Sequence, residues 1–240
     1  MLRSTPHLFD QPRHGRSVLG GFLGVSALLA LALVVASQLV FGQALVPFAA
    51  FAIAMTLAVF GLAQGYPHRV LGACNVVTLV RLAMVAFLSG ALVAPDASEW
   101  VFFGVASLAF ALDGLDGWLA RRSGLVSDFG ARLDMETDAA LGAVIATWVL
   151  VSGTAGAEVL VLGFMRYAFL AAAFFVPALR APLPQAFRRK AICVVQIAAL
   201  LILVFPLTPG TLVVPVSVAA ALLLTWSFLI DTVWLLRRAA

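Results

Sequence analysis

The strongest constraint on this chain is a succession of apolar stretches, each long enough to cross a lipid bilayer. About 20 consecutive apolar residues span the hydrocarbon core as a helix. Within that core only helices and closed barrels satisfy their own backbone hydrogen bonds. Eight such runs follow one another: Val18–Phe41, Leu45–Gln64, Cys74–Val93, Trp100–Ala120, Ala131–Ser152, Glu158–Leu179, Ala191–Phe205 and Thr211–Leu236. The breaks carry turn chemistry, at Gly42 to Pro47, Tyr66-Pro67, Pro95-Asp96, Gly153 to Gly156, Pro182 and Pro184, and Pro206 to Gly210. The pattern predicts an all-α protein, a polytopic transmembrane helix bundle of about eight spans. Charged residues make up 11% of the chain, against about 25% in soluble domains. The first run, about 24 residues long, exceeds the roughly 7–15 of a secretory signal core. It is therefore read as a retained span, although Val35-Ala36-Ser37 resembles a cleavage site.

A pI of 9.8 would suit a nucleic-acid binder, but here the cations flank apolar runs instead of forming a soluble basic face. With the N-terminus in the cytoplasm, one side of the membrane receives Arg3, Arg13, Arg16, Arg69, Arg121, Arg122, Arg132, Arg180, Arg188, Arg189, Lys190, Arg237 and Arg238. The opposite loops carry Asp96, Glu99 and Glu158. That division places both termini in the cytoplasm, with the chain in a bacterial inner membrane, and it excludes a nucleic-acid partner. Cys74 and Cys193 lie in apolar surroundings and read as small buried residues, not as a disulfide or zinc set. Gln38, Gln43 and Gln64 are expected to serve helix ends or interhelical contacts, and Asp231 to pair with Arg237 or Arg238.

Against this background the acids stand out. Each ionisable group in a span costs roughly 2.5–3.5 kcal/mol on insertion scales. Yet Asp113 and Asp116 lie three apart near the end of the fourth run, and Asp134 and Asp138 four apart near the start of the fifth. Both spacings put the paired side chains on one helix face. A short connection makes the two helices antiparallel neighbours, so both pairs can meet at similar depth. Carboxylates gathered without a compensating charge repel one another, and divalent cations remove the repulsion. Oxygen-only ligands suit Mg²⁺ or Mn²⁺. Gly117, inside the acidic patch, leaves room for a phosphate-bearing ligand. Arg121, one turn on, is placed to clamp a phosphate oxygen. Asp128 reads as a solvated loop residue and Glu136 as an interfacial charge.

The segment Asp113-x2-Asp116-Gly117-x2-Ala120-Arg121-x8-Gly130-x3-Asp134-x3-Asp138 resembles the D-x2-D-G-x2-A-R-x8-G-x3-D-x3-D pattern of the CDP-alcohol phosphatidyltransferase family. Asn75-x2-Thr78-x2-Arg81 resembles the opening of that family's first core helix. The resemblance implies a six-helix core preceded here by two further helices. The domains are then 1–68, a cytoplasmic tail and transmembrane hairpin, and 69–240, the phosphotransferase membrane domain. It implies attack by an alcohol acceptor on a CDP-linked donor, CDP-diacylglycerol or a related CDP-alcohol, with release of CMP. By the same resemblance Asp113, Asp116, Asp134 and Asp138 hold a two-metal site, and Asp138 is the general base. Asn75, Thr78, Gly117 and Arg121 meet the donor, with Arg81 beside them, and the protein is a homodimer among membrane lipids.

For the acceptor, Arg166 lies within the sixth run, where an intramembrane arginine is a functional candidate. Arg188, Arg189 and Lys190 open the seventh, and Gln196 follows. Together the four cations could receive a phosphorylated alcohol; the alternative is topology and headgroup contact. Three rival classes make different demands, and against one of them, an idle binding or assembly protein, the intact aspartates argue. A cation or proton transporter calls for broken helices near the midplane and repeated halves, and neither is visible. A membrane prenyltransferase also uses aspartates and Mg²⁺ on a diphosphate, but its two acidic motifs lie on well-separated helices, whereas these share one hairpin.

Overall fold

The computed structural model describes residues 12–64, 66–181, 183 and 187–239, without the side chains of residues 12–17, Lys190 and Ala239. The expectations for Arg3, Pro182 and Pro184, and for the side chains of Arg13, Arg16 and Lys190, lie outside the described residues. Among the described residues, eight α-helices form: α1 (Pro12–Phe41), α2 (Leu45–Ala63), α3 (Ala73–Ala91), α4 (Glu99–Ser123), α5 (Asp128–Val151), α6 (Val159–Phe175), α7 (Phe187–Val204) and α8 (Gly210–Ala239). A 3-10 turn, Pro177–Arg180, follows α6. No strand occurs among the described residues. Each helix overlays one apolar run of the sequence, so the protein is a polytopic helix bundle. Val18–Phe41 of α1, together with α2, α3, α4 and α8, is long and apolar enough to cross a membrane. The 17 residues of α6 are shorter than that. Both α5 and α7 open on charged turns that dilute their apolar length.

The helices group into two compact units. The first holds the described residues up to Gly90 together with Ala111–Thr137; the second holds Ala91–Phe110 and the chain from Asp138 on. In the first unit, Val18 and Phe22 of α1, Ala58 and Leu62 of α2, Leu79 and Leu82 of α3, and Phe129 and Leu133 of α5 form one apolar core. A smaller cluster joins Leu33, Phe51, Ala83 and Ala86. The N-terminal hairpin thus shares its core with the start of the family-like region. Gln38 Nε2 donates to the Gly42 carbonyl at 3.0 Å, and Gln43 Nε2 donates to the Gly90 carbonyl at 3.4 Å, the helix-end and interhelical roles expected of them.

The α4–α5 connection is built from local signals. Gly124 adopts φ 67°, the left-handed conformation that ends a helix at little steric cost. Three residues on, the Ser127 hydroxyl accepts the Gly130 N–H at 3.1 Å and caps α5. Asp128 is therefore not a loop residue, as expected from sequence, but the first residue of α5. Its carboxylate sits where the helix dipole favours negative charge.

In the second unit, α8 packs along α6 and α7. Phe102 stacks on Trp148 with ring centroids 4.6 Å apart. Asp231 does not pair with Arg237 or Arg238. It receives Arg188 Nη2 at 2.5 Å and Arg189 Nη1 at 3.4 Å from α7. Arg188 also donates to the carbonyl and hydroxyl of Ser227 at 2.8 and 2.6 Å. Both cysteines remain thiols, but only Cys74 is buried, because Cys193 faces outward from α7.

α5 and α6 approach closely at Gly163. A Cβ there would lie 2.6 Å from the Ala146 Cβ and 3.1 Å from the Ala143 Cα. Small residues let membrane helices meet this closely. Gly163→Leu is expected to destabilise the protein by about 1–3 kcal/mol through overpacking, read as a lower melting temperature in detergent.

Candidate functional site

α3 and the parts of α4 and α5 that lie in the first unit build the acidic site. Along α3, Asn75, Thr78 and Arg81 recur every third residue, and all three are buried. Facing them are Asp113 and Asp116 near the end of α4 and Asp134, almost two turns into α5. Arg81 is wholly buried, and its guanidinium reaches all three acids. Nη2 lies 3.1 Å from Asp113 Oδ1, and Nη1 lies 2.8 Å from Asp116 Oδ2 and 2.5 Å from Asp134 Oδ1. The Thr78 hydroxyl donates to Asp116 Oδ2 at 3.1 Å.

Asp116 is the deepest of the three acids, 4% exposed, whereas Asp113 and Asp134 are 34% and 37% exposed. One face of the group is thus fixed by Arg81 and Thr78, and the other is open. Each acid offers an oxygen within 4.8 Å of the others. Ionised, three carboxylates against one guanidinium leave two negative charges uncompensated. A hard divalent cation with oxygen ligands meets that demand, so the donor set fits Mg²⁺ or Mn²⁺.

The family resemblance sets Arg81 beside the donor, whereas the structure places it beneath the carboxylates as their counter-charge. The available signal was the common face of Asn75, Thr78 and Arg81. Asp138 follows Asp134 by one turn of α5, whose helix runs unbroken through both.

The remaining motif residues find physical reasons as well. The Arg121 guanidinium lies over Gly117, where a Cβ would stand 3.4 Å from Nη1. Arg121 is exposed, so its planar donor fork is available to a ligand. A Cβ on Gly130 would fall 2.8 Å from Asn75 Oδ1, so only glycine fits against that amide. Asn75 Nδ2 donates in turn to the Tyr66 hydroxyl at 2.9 Å. Burial pushes the Tyr66 phenol above its ordinary pKa, which keeps it a neutral hydroxyl able both to accept and to donate.

The acceptor candidates lie elsewhere in the chain. Arg166 is half-buried on α6, and Arg188 and Arg189 share Asp231 at the start of α7. Gln196 donates to the Leu162 carbonyl and so ties α7 to α6.

Fold and site together define an integral membrane helix bundle carrying a carboxylate group fit for a divalent metal. The sequence model of CDP-alcohol phosphatidyltransferases matches residues 71–234, well over half of the chain, and the protein belongs to that family. It is accordingly a transferase of the kind that uses a CDP-alcohol and an alcohol acceptor. No curated protein matches the chain, and no solved structure does.

Removing one partner of a buried charge group costs about 3–5 kcal/mol because the remaining charges are left uncompensated. Arg81→Gln is therefore expected to lower the melting temperature markedly in EDTA. Mg²⁺ or Mn²⁺ should raise it by more in the variant than in the unchanged protein, as a thermal-shift titration in detergent would show.

Proposed function

We propose that the protein transfers a phosphatidyl group from CDP-diacylglycerol to an alcohol, with release of CMP, as a step of phospholipid biosynthesis. The observation that supports this reading most is the trio of carboxylates held over Arg81, all inside the region that matches the family. Residues 69–240 form the catalytic membrane domain, and 1–68 the tail and hairpin before it. The reaction takes place at the cytoplasmic face of a bacterial inner membrane, with both termini on that side; the bias of arginine and lysine supports this orientation. There the nucleotide stays in water and the acyl chains in lipid. The protein works as a homodimer.

Metal ions bound by Asp113, Asp116, Asp134 and Asp138 would supply the positive charge that polarises the phosphoryl group and stabilises the departing phosphate. Arg81 and Thr78 keep three of those carboxylates in place. Gly117 and Arg121 receive the diphosphate, the first by leaving space and the second by donating to its oxygens. Asn75 and Thr78 line the donor side. Asp138 accepts the hydroxyl proton as the alcohol oxygen bonds to the β-phosphorus. The bond from that phosphorus to the bridging oxygen breaks, and CMP leaves with the electron pair.

On the acceptor side, Arg166 of α6 with Arg188, Arg189 and Lys190 in the first turn of α7 favours an alcohol that itself carries a phosphate. The test is purified protein given labelled CDP-diacylglycerol, Mg²⁺ or Mn²⁺, and paired acceptors with and without a phosphate. Metal-dependent CMP release with a phosphorylated acceptor is expected; cation flux without CMP release would contradict the reading. Asp138→Asn is expected to lower turnover about 10²–10⁴-fold, the usual worth of a general base, while leaving donor affinity nearly unchanged in equilibrium binding.

A further inference from the structure

Asp113 and Asp116 sit on α4, and Asp134 sits on α5. Their convergence depends on how α4 hands over to α5 through residues 124–127, which contain neither helix nor strand. A connection this short fixes the distance between two helices but not their relative slide or rotation. Some other part of the chain must hold it.

The N-terminal hairpin and the segment that follows it touch both the connection and the start of α5. His68 Nε2 lies 3.0 Å from the Val126 carbonyl oxygen, so its N–H can donate to the middle of the connection. The Leu125 side chain lies against Gly72, where a Cβ would be only 3.0 Å from it. Phe129, in the first turn of α5, meets three rings or backbones of the N-terminal region. The Tyr66 ring stands edge-on to it at 5.7 Å, and Phe22 of α1 does the same at 6.2 Å. Gly61 of α2 passes close enough that a Cβ would touch the Phe129 ring at 3.4 Å.

Tyr66 ties these contacts together. Its hydroxyl donates to the Val70 carbonyl at 3.1 Å and accepts from Asn75 Nδ2 at 2.9 Å. That bond orients the Asn75 amide so that its oxygen lies against Gly130. Phe22, Gly61, Tyr66 and His68 all precede the stretch that matches the family. From Gly130, one turn of rigid helix leads to Asp134.

We propose that the N-terminal hairpin and residues 66–72 form a brace that sets the register between the two acid-bearing helices, with Tyr66 as its positioning residue. The proposal rests on the reading of the carboxylate group as a divalent-metal site. Tyr66 and His68 act on the metal only through α5 and the connection before it. Loss of the brace should weaken metal binding without removing any ligand.

The experiment uses the full chain in detergent and the metal alone. Unbound Mn²⁺ is followed by electron paramagnetic resonance while it is titrated into the unchanged protein, Tyr66→Phe and His68→Ala. The Phe variant keeps the ring against Phe129 and loses only the hydroxyl. The dissociation constant for Mn²⁺ is expected to rise about three- to tenfold in each variant, the range set by one net hydrogen bond. The metal-free melting temperature should fall by only a few degrees, leaving each variant folded at the temperature of the titration, and turnover should recover at saturating Mn²⁺. Unchanged Mn²⁺ affinity in both variants would overturn the brace. So would a loss of affinity that merely tracks the folded fraction. Failure of the unchanged protein itself to bind Mn²⁺ would overturn the metal reading, and the brace with it, and is distinguished by appearing before any substitution is made.

Discussion

A single guanidinium, that of Arg81, organises the chemistry of this protein. It is wholly buried on α3 and shared by carboxylates from two other helices, Asp113 and Asp116 of α4 and Asp134 of α5. In a low-dielectric interior three neighbouring carboxylates would repel strongly and resist ionisation. The arginine offsets part of that repulsion and gives each acid a fixed partner. It does so incompletely, and the shortfall of positive charge is what makes the open face of the group fit for a divalent cation. A fully neutralised cluster would be a structural ion network with little attraction for metal.

The helices were legible in the sequence because membrane insertion leaves few alternatives: an apolar run of the right length must be a helix. Each run drawn from hydropathy overlies one helix and some ends coincide, as at Phe41 and Leu45, whereas α1 and α7 begin before their runs and α6 stops at Phe175, short of Leu179. The approach of Asp113 and Asp116 to Asp134 was also legible, because three-residue spacing puts the first two on one helix face and a short connection brings the next helix alongside. What could not be read were pairings between elements distant in sequence. Asp231 illustrates this. Arg237 and Arg238 are its basic neighbours along the chain, yet seven residues of helix place Arg238 roughly 10 Å further along the axis. Asp231 instead meets Arg188 and Arg189 of α7. Arg81 was misplaced for the same reason: nothing within α3 shows which acids it will meet. Asp128 belongs to α5 because Ser127 caps the helix one residue before it, a signal that the solvated loop-like composition of the segment masks.

The motif residues divide the work between chemistry and geometry. Asp113, Asp134 and Arg121 present charge outward, while Asp116 is buried against Arg81. Gly117 and Gly130 act by lacking a side chain, the first beneath Arg121 and the second against the Asn75 amide. Asn75 and Thr78 are buried and hydrogen-bonded within the protein, to Tyr66 and Asp116, so they shape the site even before a donor arrives. The N-terminal hairpin enters the same scheme through a shared apolar core. Residues outside the family match therefore bear on a site inside it.

The central claim is that the carboxylates over Arg81 grip a nucleotide diphosphate through divalent metal. Calorimetric titration of CDP into the purified protein, once with Mn²⁺ and once with EDTA, tests this most directly. Binding is expected with the metal, and it should vanish in EDTA and in Asp116→Asn. CDP binding of equal strength with and without metal would contradict the account.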